Sequence, residues 1–260
     1  MPSQTIVTTK WLKRFWKSIL TFLMVALLLS YAFAANNWRR LNDGLDYQDL
    51  ERGYLTPWSH VHAFRINLKS NNLALVMAKD LAVKHASVDE FAQHSKALIS
   101  INGGFFDEAY HPLGLRINNK KQQSPLKQIS WWGVFYIKNN KAYVSSVRQF
   151  NHDSQIEFAI QSGPRLLING QIPPLKPGRA ERSALGITKD GQVIILITDN
   201  SPLSTTELAQ LMKAPPLNCL NALNLDGGSS TQLHAQINAF RLNVHGFSNV
   251  SDAVIVKAKN

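Results

Sequence analysis

Two short stretches of this chain place acids, glycines and hydroxyls at the ends of apolar runs. Asn224-Leu225-Asp226-Gly227-Gly228-Ser229-Ser230-Thr231 overlaps the end of the run Leu220 to Leu225. Asn102-Gly103-Gly104-Phe105-Phe106-Asp107 follows the run Ala97 to Ile101. Apolar runs of this length read as buried strands, so each acid sits where the backbone turns sharply. Glycines at such a turn leave nothing bulky beside the acid, and successive N–H groups there can face one anion. Two such clusters, remote in sequence, suggest one shared site in which Asp107 and Asp226 meet.

Two further segments carry cations close to glycine, Ser162-Gly163-Pro164-Arg165-Leu166-Leu167 and Arg182-Ser183-Ala184-Leu185-Gly186. In this order and spacing, the four segments together resemble the phosphodiester glycosidase family, over roughly residues 95 to 257. The resemblance implies hydrolysis of a sugar-1-phosphodiester at its glycosidic bond. The residue types suit that chemistry. A departing phosphate monoester is far more acidic than a sugar alcohol, so it needs less proton donation than an ordinary glycoside. It needs positive charge and N–H donors at the phosphate, with a carboxylate near the anomeric carbon. Arg165 and Arg182 supply guanidinium groups, which meet phosphate oxygens in bidentate fashion. Asn102, Gly103, Gly104, Gly227, Gly228, Ser229 and Ser230 are the other candidate substrate contacts. Asp226, Asp107 and Glu181 are the candidate acid, base or nucleophile.

Each candidate has a purely structural alternative. Asp226 and Asp107 can cap their own turns, and Asn102 can tie down its loop through backbone bonds. Arg182 beside Glu181 can be a surface ion pair. Ser229 and Ser230 invite a serine-hydrolase reading, but no Gly-x-Ser-x-Gly elbow is present and no histidine is singled out as the base. The eight histidines show no zinc spacing. No cofactor is implied, while calcium held by Asp226 or Asp107 with backbone carbonyls stays open. Trp131-Trp132 and Phe105-Phe106 can stack on sugar rings, and because an adjacent pair on a strand points to opposite faces, at most one member of each faces a ligand.

The elements that must position these residues are mostly strands. Val61 to Leu68 and Leu73 to Ala78, separated by Ser70-Asn71-Asn72, read as a hairpin. Asn139-Asn140 and Lys189-Asp190-Gly191 mark two more. Ser87-Val88-Asp89-Glu90 and Ser204-Thr205-Thr206-Glu207 are capping boxes, each opening a short helix. The expected fold class is α+β, a mostly antiparallel sheet with a few flanking helices, as a single domain over 61–260 behind a polar leader, 36–60.

The amino end differs in kind. Lys10, Lys13, Arg14 and Lys17 precede an uncharged run from Ile19 to Ala35 that contains Ala32-Phe33-Ala34. That layout marks residues 1–35 as an export signal, or as an uncleaved anchor in the inner membrane. Either way the rest is exported, with the periplasm as the expected compartment. The whole chain carries +11; without the four leading bases, 24 bases face 17 acids, a net +7. This suits an anionic substrate such as a phosphate-linked glycan. The bases are scattered and no nucleic-acid motif occurs, so nucleic acid is not an expected partner. Cys219 is the single cysteine, so no internal disulfide can form, and its apolar setting points to inert packing. Hydrolysis in envelope or surface glycan metabolism is thus the leading reading. A non-catalytic glycan-binding envelope protein and a phosphodiesterase using the same pocket are the two alternatives.

Overall fold

Val193–Asp199, Val-Ile-Ile-Leu-Ile-Thr-Asp, is apolar toward both faces, and the computed structural model places it at the centre of a seven-stranded sheet. The described residues are 13–25, 38–50 and 56–259. By its contacts the chain divides into Met1–Asn37 and Trp38–Asn260, and all the sheets belong to the second unit. In the first unit a helix (α1) covers residues 13–25. Among the described residues no helix is long and apolar enough to cross a membrane. Of the expected export segment, residues 1–12 and 26–35, including Ala32-Phe33-Ala34, lie outside the described residues.

The first sheet runs, in spatial order, Arg39–Asn42, Leu45–Asp49, His60–Ile66, Val193–Asp199, Ser183–Thr188, Cys219–Asn224 and Arg165–Leu167. A second sheet of five strands runs Phe240–Val244, Leu233–Ile237, Ile99–Asn102, Asp252–Ala258 and Asn71–Met77. A third runs Lys121–Ser124, Arg116–Asn118, Ile156–Ser162, Gly133–Lys138 and Lys141–Ser146. Every strand pair in these sheets is antiparallel. The three share one core, with Phe64, Leu185 and Ile195 from the first, Leu75, Ile101 and Val254 from the second, and Phe135 and Phe158 from the third. The architecture is therefore dominated by β structure, with three α-helices among the described residues.

Both capping boxes open the helices expected of them. Ser87 caps α2, Val88–Ser95, and Ser204 caps α3, Thr205–Lys213; in each, the serine hydroxyl accepts from the backbone N–H of the glutamate three residues on. The apolar stripe of α2, Val88, Phe91 and Ala92, packs on Val76, Ala253 and Ile255 of the second sheet. That of α3, Leu208, Ala209 and Met212, packs on Ala184, Leu196 and Ala222 of the first. Burying a side chain such as Phe91 contributes about 1.5–3 kcal/mol, so the helices hold through these faces more than through propensity. Cys219 is buried against the same layer, and loss of solvent pushes its thiol up to about 12, which leaves it inert.

Two expectations fail here for a shared reason. Residues 39–49, expected as leader, form two strands on the edge of the first sheet. The expected hairpin of Val61–Leu68 with Leu73–Ala78 does not form, because His60–Ile66 lies in the first sheet and Asn71–Met77 in the second. Both runs are buried over most of their length, so each needs its own long-range partners. Asn67 and Asn71 turn the chain into a corner between sheets. Asn67 Oδ1 accepts from Lys69 N at 2.9 Å, and Asn71 Nδ2 donates to Gly44 O at 3.0 Å.

Candidate functional site

The loops that follow the strand ends at Asn102 and Asn224 touch, but Asp107 and Asp226 do not meet in one cavity as expected. Asp226 N donates to Gly103 O at 3.2 Å. Asn102 Nδ2 donates to Asp226 O at 2.8 Å, while its Oδ1 accepts from Ser183 Oγ at 2.6 Å and Gln232 N at 3.2 Å. Asn102 is fully buried and every polar atom of its side chain is engaged. It clamps the two loops together and has no free face for substrate, which corrects the expected contact role.

Gly103 and Gly104 serve the same junction. A Cβ at Gly103 would stand 1.8 Å from Asp252 Oδ1, and one at Gly104 would stand 2.6 Å from Arg116 Nη2. The turn lies directly on an ion pair, Arg116 Nε to Asp252 Oδ1 at 3.1 Å, with both side chains at 0% exposure. Arg116 also donates to Gln161 O at 3.0 Å and to Phe105 O at 3.4 Å. The glycines are required by close approach to this pair rather than by a ligand. The sequence reading missed Arg116 and Asp252. The available signal was a charged residue set against apolar neighbours, in Leu115-Arg116-Ile117 and at the head of Asp252-Ala253-Val254.

Asp226 lines a cavity of about 580 Å³ together with Gly227, Gly228, Arg182 and Phe105. It is the one carboxylate among the described residues that line it. Burial raises its pKa above the ordinary aspartate range, against hydrogen bonds from the Ser230 hydroxyl and Gly227 N that lower it. The nearby Asp252 raises it further and Arg116 lowers it. The Gly227 N bond to Asp226 Oδ1 is 2.9 Å. The expected ring of N–H donors is turned inward: Gly227 N faces Asp226 and Gly228 N donates to Glu181 O at 2.8 Å. Gly228 holds φ +63°, so the turn itself needs a glycine there.

Arg182 enters the cavity from the first sheet. Its Nε donates to Leu203 O at 2.8 Å and its Nη2 to Gly178 O at 2.6 Å. Nη1 has no partner among the described residues, and burial lowers the guanidinium pKa. The surface pairing with Glu181 does not occur, because Glu181 accepts from Thr198 Oγ1 instead. An arginine held by carbonyls, with no acid partner, is ready to meet an anion.

Five other candidates do not line the cavity. Asp107 is partly exposed and caps its own loop, accepting from Ala109 N at 2.9 Å and His111 N at 2.8 Å. The His111 backbone bond is the main cause of its lowered pKa. It does not line the cavity. Asp107→Ala is therefore expected to change kcat/KM less than about twofold, with only a small loss of stability; a steady-state assay and a urea titration check this. Glu181 contributes its backbone carbonyl to the Gly228 turn and spends its carboxylate on Thr198. Arg165 packs along Gly133, where a Cβ would stand 2.5 Å from its Cγ, and does not line the cavity. Ser229 is exposed and bonds the Phe247 and Ser248 amides through its carbonyl, while Ser230 is buried beneath Asp226 and orients it. No group of three His, Cys, Asp or Glu able to hold a metal occurs among the described residues.

One member of each aromatic pair faces the cavity. Trp131 lines it, while Trp132 is buried and stacks on Phe105 at 5.2 Å between centroids. Phe105 lines it, while Phe106 stacks on Tyr110. A larger cleft of about 830 Å³ runs along the Asn71–Met77 edge past His94, Lys120 and Glu157. It contains none of the candidate residues, and its walls show no convergent chemistry comparable to Asp226 and Arg182.

Comparison with known proteins identifies the family and the fold. The family model described as phosphodiester glycosidase matches residues 95–257. The Escherichia coli (strain K12) protein YigE, itself uncharacterized, is 30% identical over 187 residues, covering 66% of this chain and 73% of that protein. The catalytic domain of zebrafish N-acetylglucosamine-1-phosphodiester alpha-N-acetylglucosaminidase, auto-inhibited by its pro-peptide, superposes with a TM-score of 0.64 at 19% identity. That match covers 86% of this chain and 87% of that one. A hypothetical protein from Synechocystis superposes with a TM-score of 0.61 at 17% identity, over 86% of this chain but 64% of its own length. At these identities the two structures show a shared fold.

Proposed function

This chain belongs to the phosphodiester glycosidase family, and on that footing we propose that it hydrolyses the glycosidic bond of a sugar-1-phosphodiester. The observation that carries this reading is the pairing, in one cavity, of a lone partly buried carboxylate with an acid-free arginine, Asp226 with Arg182. One carboxylate suffices because a phosphate monoester leaves readily without full protonation. Asp226 acts at the anomeric carbon, on water or on the carbon itself, and Arg182 holds the phosphate oxygens as charge gathers on them. Lys176, which also lines the cavity, adds a second positive charge at that end. Water adds across the anomeric C–O bond: its hydroxyl goes to the sugar and its proton to the released phosphomonoester.

The test is incubation with an N-acetylglucosamine-1-phosphodiester in ¹⁸O-labelled water. Free sugar carrying the label at C1, plus phosphomonoester, is the expected result. Sugar-1-phosphate, with the label on phosphorus, would mean a phosphodiesterase instead. Arg182→Ala is expected to raise KM about 10- to 100-fold with a smaller change in kcat, as loss of a charge-assisted phosphate contact requires. An unchanged KM would remove Arg182 from that role. The basic-then-apolar amino end supports action outside the cytoplasm, on phosphate-linked glycans of the envelope.

A further inference from the structure

The cavity has a largely apolar wall. Phe105, Trp131, Pro164, Pro174, Leu175 and Pro177 line it, and Trp131 is 55% exposed. Recognising a sugar takes side chains that can bond several hydroxyls, since a hydroxyl buried without a partner costs more than its contacts return. Most polar atoms of the other lining side chains are bonded within the protein or closed to solvent. Thr205 Oγ1 donates to Lys176 O at 2.9 Å. Asn224 Nδ2 donates to Gly163 O at 3.1 Å and Leu225 O at 2.6 Å, and its Oδ1 is closed to solvent. Arg179 makes two bonds to Glu207, at 2.5 and 2.7 Å, and one to Pro202 O at 2.8 Å. That leaves Asp226, Arg182 and Lys176 as side chains with capacity to spare. They are enough for one anion and one reacting centre, and too few for a second glycan.

We propose that the group lying on this wall is an aliphatic chain, so that the substrate is a sugar-1-phosphodiester whose second ester is to an apolar alcohol. This rests on the hydrolytic reading of Asp226 and Arg182 given above. The phosphate sits at Arg182, the sugar reaches Asp226, and the chain runs along Trp131, Leu175 and the prolines. Cleavage then releases free sugar and an alkyl or prenyl phosphate.

The test is a series of N-acetylglucosamine-1-phosphate esters of ethanol, butanol, octanol and the ten-carbon prenol geraniol, with glycerol and mannose esters as polar controls. With the full chain, kcat/KM is expected to rise about two- to fourfold per added methylene until the wall is covered, and the polar esters to fall below ethyl. Adding the decanol ester to the series separates the two sources: geranyl above decyl would identify a prenyl source, and decyl at or above geranyl an acyl-like one. Trp131→Ala is expected to cut the octyl-to-ethyl ratio at least about tenfold. A flat alkyl series, or a mannosyl ester turned over as fast as octyl, would overturn the proposal while leaving the glycosidase reading intact. Titration calorimetry with ethyl, butyl and octyl phosphate reads the wall without turnover. If none of the esters is hydrolysed, the glycosidase reading fails, and the calorimetric series still decides the wall: affinity rising with chain length supports it and equal affinities sink it.

Discussion

Asp226→Asn is expected to lower kcat by about 10²- to 10⁴-fold, the range for loss of a positioned proton-transfer group. It should do so without weakening the fold. Asparagine keeps an oxygen for the Gly227 amide, which donates to Asp226 Oδ1 at 2.9 Å. Burial raises the Asp226 pKa, so the carboxyl favours its neutral form in the fold more than in the unfolded chain. The stability tied to that shift is fully present below the unfolded aspartate pKa and is lost as pH rises through the folded one. An uncharged asparagine avoids that loss. The thermal midpoint of Asp226→Asn should therefore match the wild type in acid and equal or exceed it at neutral and higher pH. Activity of the wild type should climb with pH through the same raised pKa if the ionised carboxylate does the work. Scanning calorimetry from acid to mildly alkaline pH, beside a pH–rate profile, checks both. A midpoint that collapses at every pH would make Asp226 a turn-holding residue and remove it from catalysis.

Asp252→Ala should produce the largest loss of stability, about 3–5 kcal/mol, because it strands the guanidinium of Arg116 in the core without its countercharge. For a unit of this size that is a fall in midpoint of roughly 6–20 °C. The loss arises from the unpaired charge rather than from any large net gain of the pair. Replacing both partners, Arg116→Met with Asp252→Leu, should recover most of it. Differential scanning calorimetry of the two variants makes the comparison. Equal destabilisation of single and double variants would show that packing of the Gly103 turn, not charge, governs this junction. Gly103→Ala strikes the same place, since its Cβ would sit 1.8 Å from Asp252 Oδ1.

The local chemistry of this chain was legible from its residues. Ser87-to-Glu90 and Ser204-to-Glu207 announce α2 and α3, and Asn139-Asn140 and Asp190-Gly191 announce their hairpins, because caps and tight turns depend on neighbours a few residues away. The four motif segments likewise pointed to the family before any contact was known, and they named Asp226 and Arg182. The split of 60–77 between two sheets, and the strands at 39–49, could not be read that way. A doubly buried strand looks the same whichever strand it pairs with.

The fate of individual site candidates also belonged to the tertiary structure. Asp107 and Asp226 look equivalent as acids at strand ends, yet one caps its own turn and the other lines a cavity that Arg182 also lines. Asn102, Gly103 and Gly104 read as ligand contacts until Arg116 and Asp252 arrive beneath them from strands 14 and 150 residues further along the chain. Residue type and spacing therefore determined which groups could do phosphodiester chemistry and which turns would present them. Which of them face a ligand was decided only by folding, because burial, dielectric and pairing are properties of the space around a side chain.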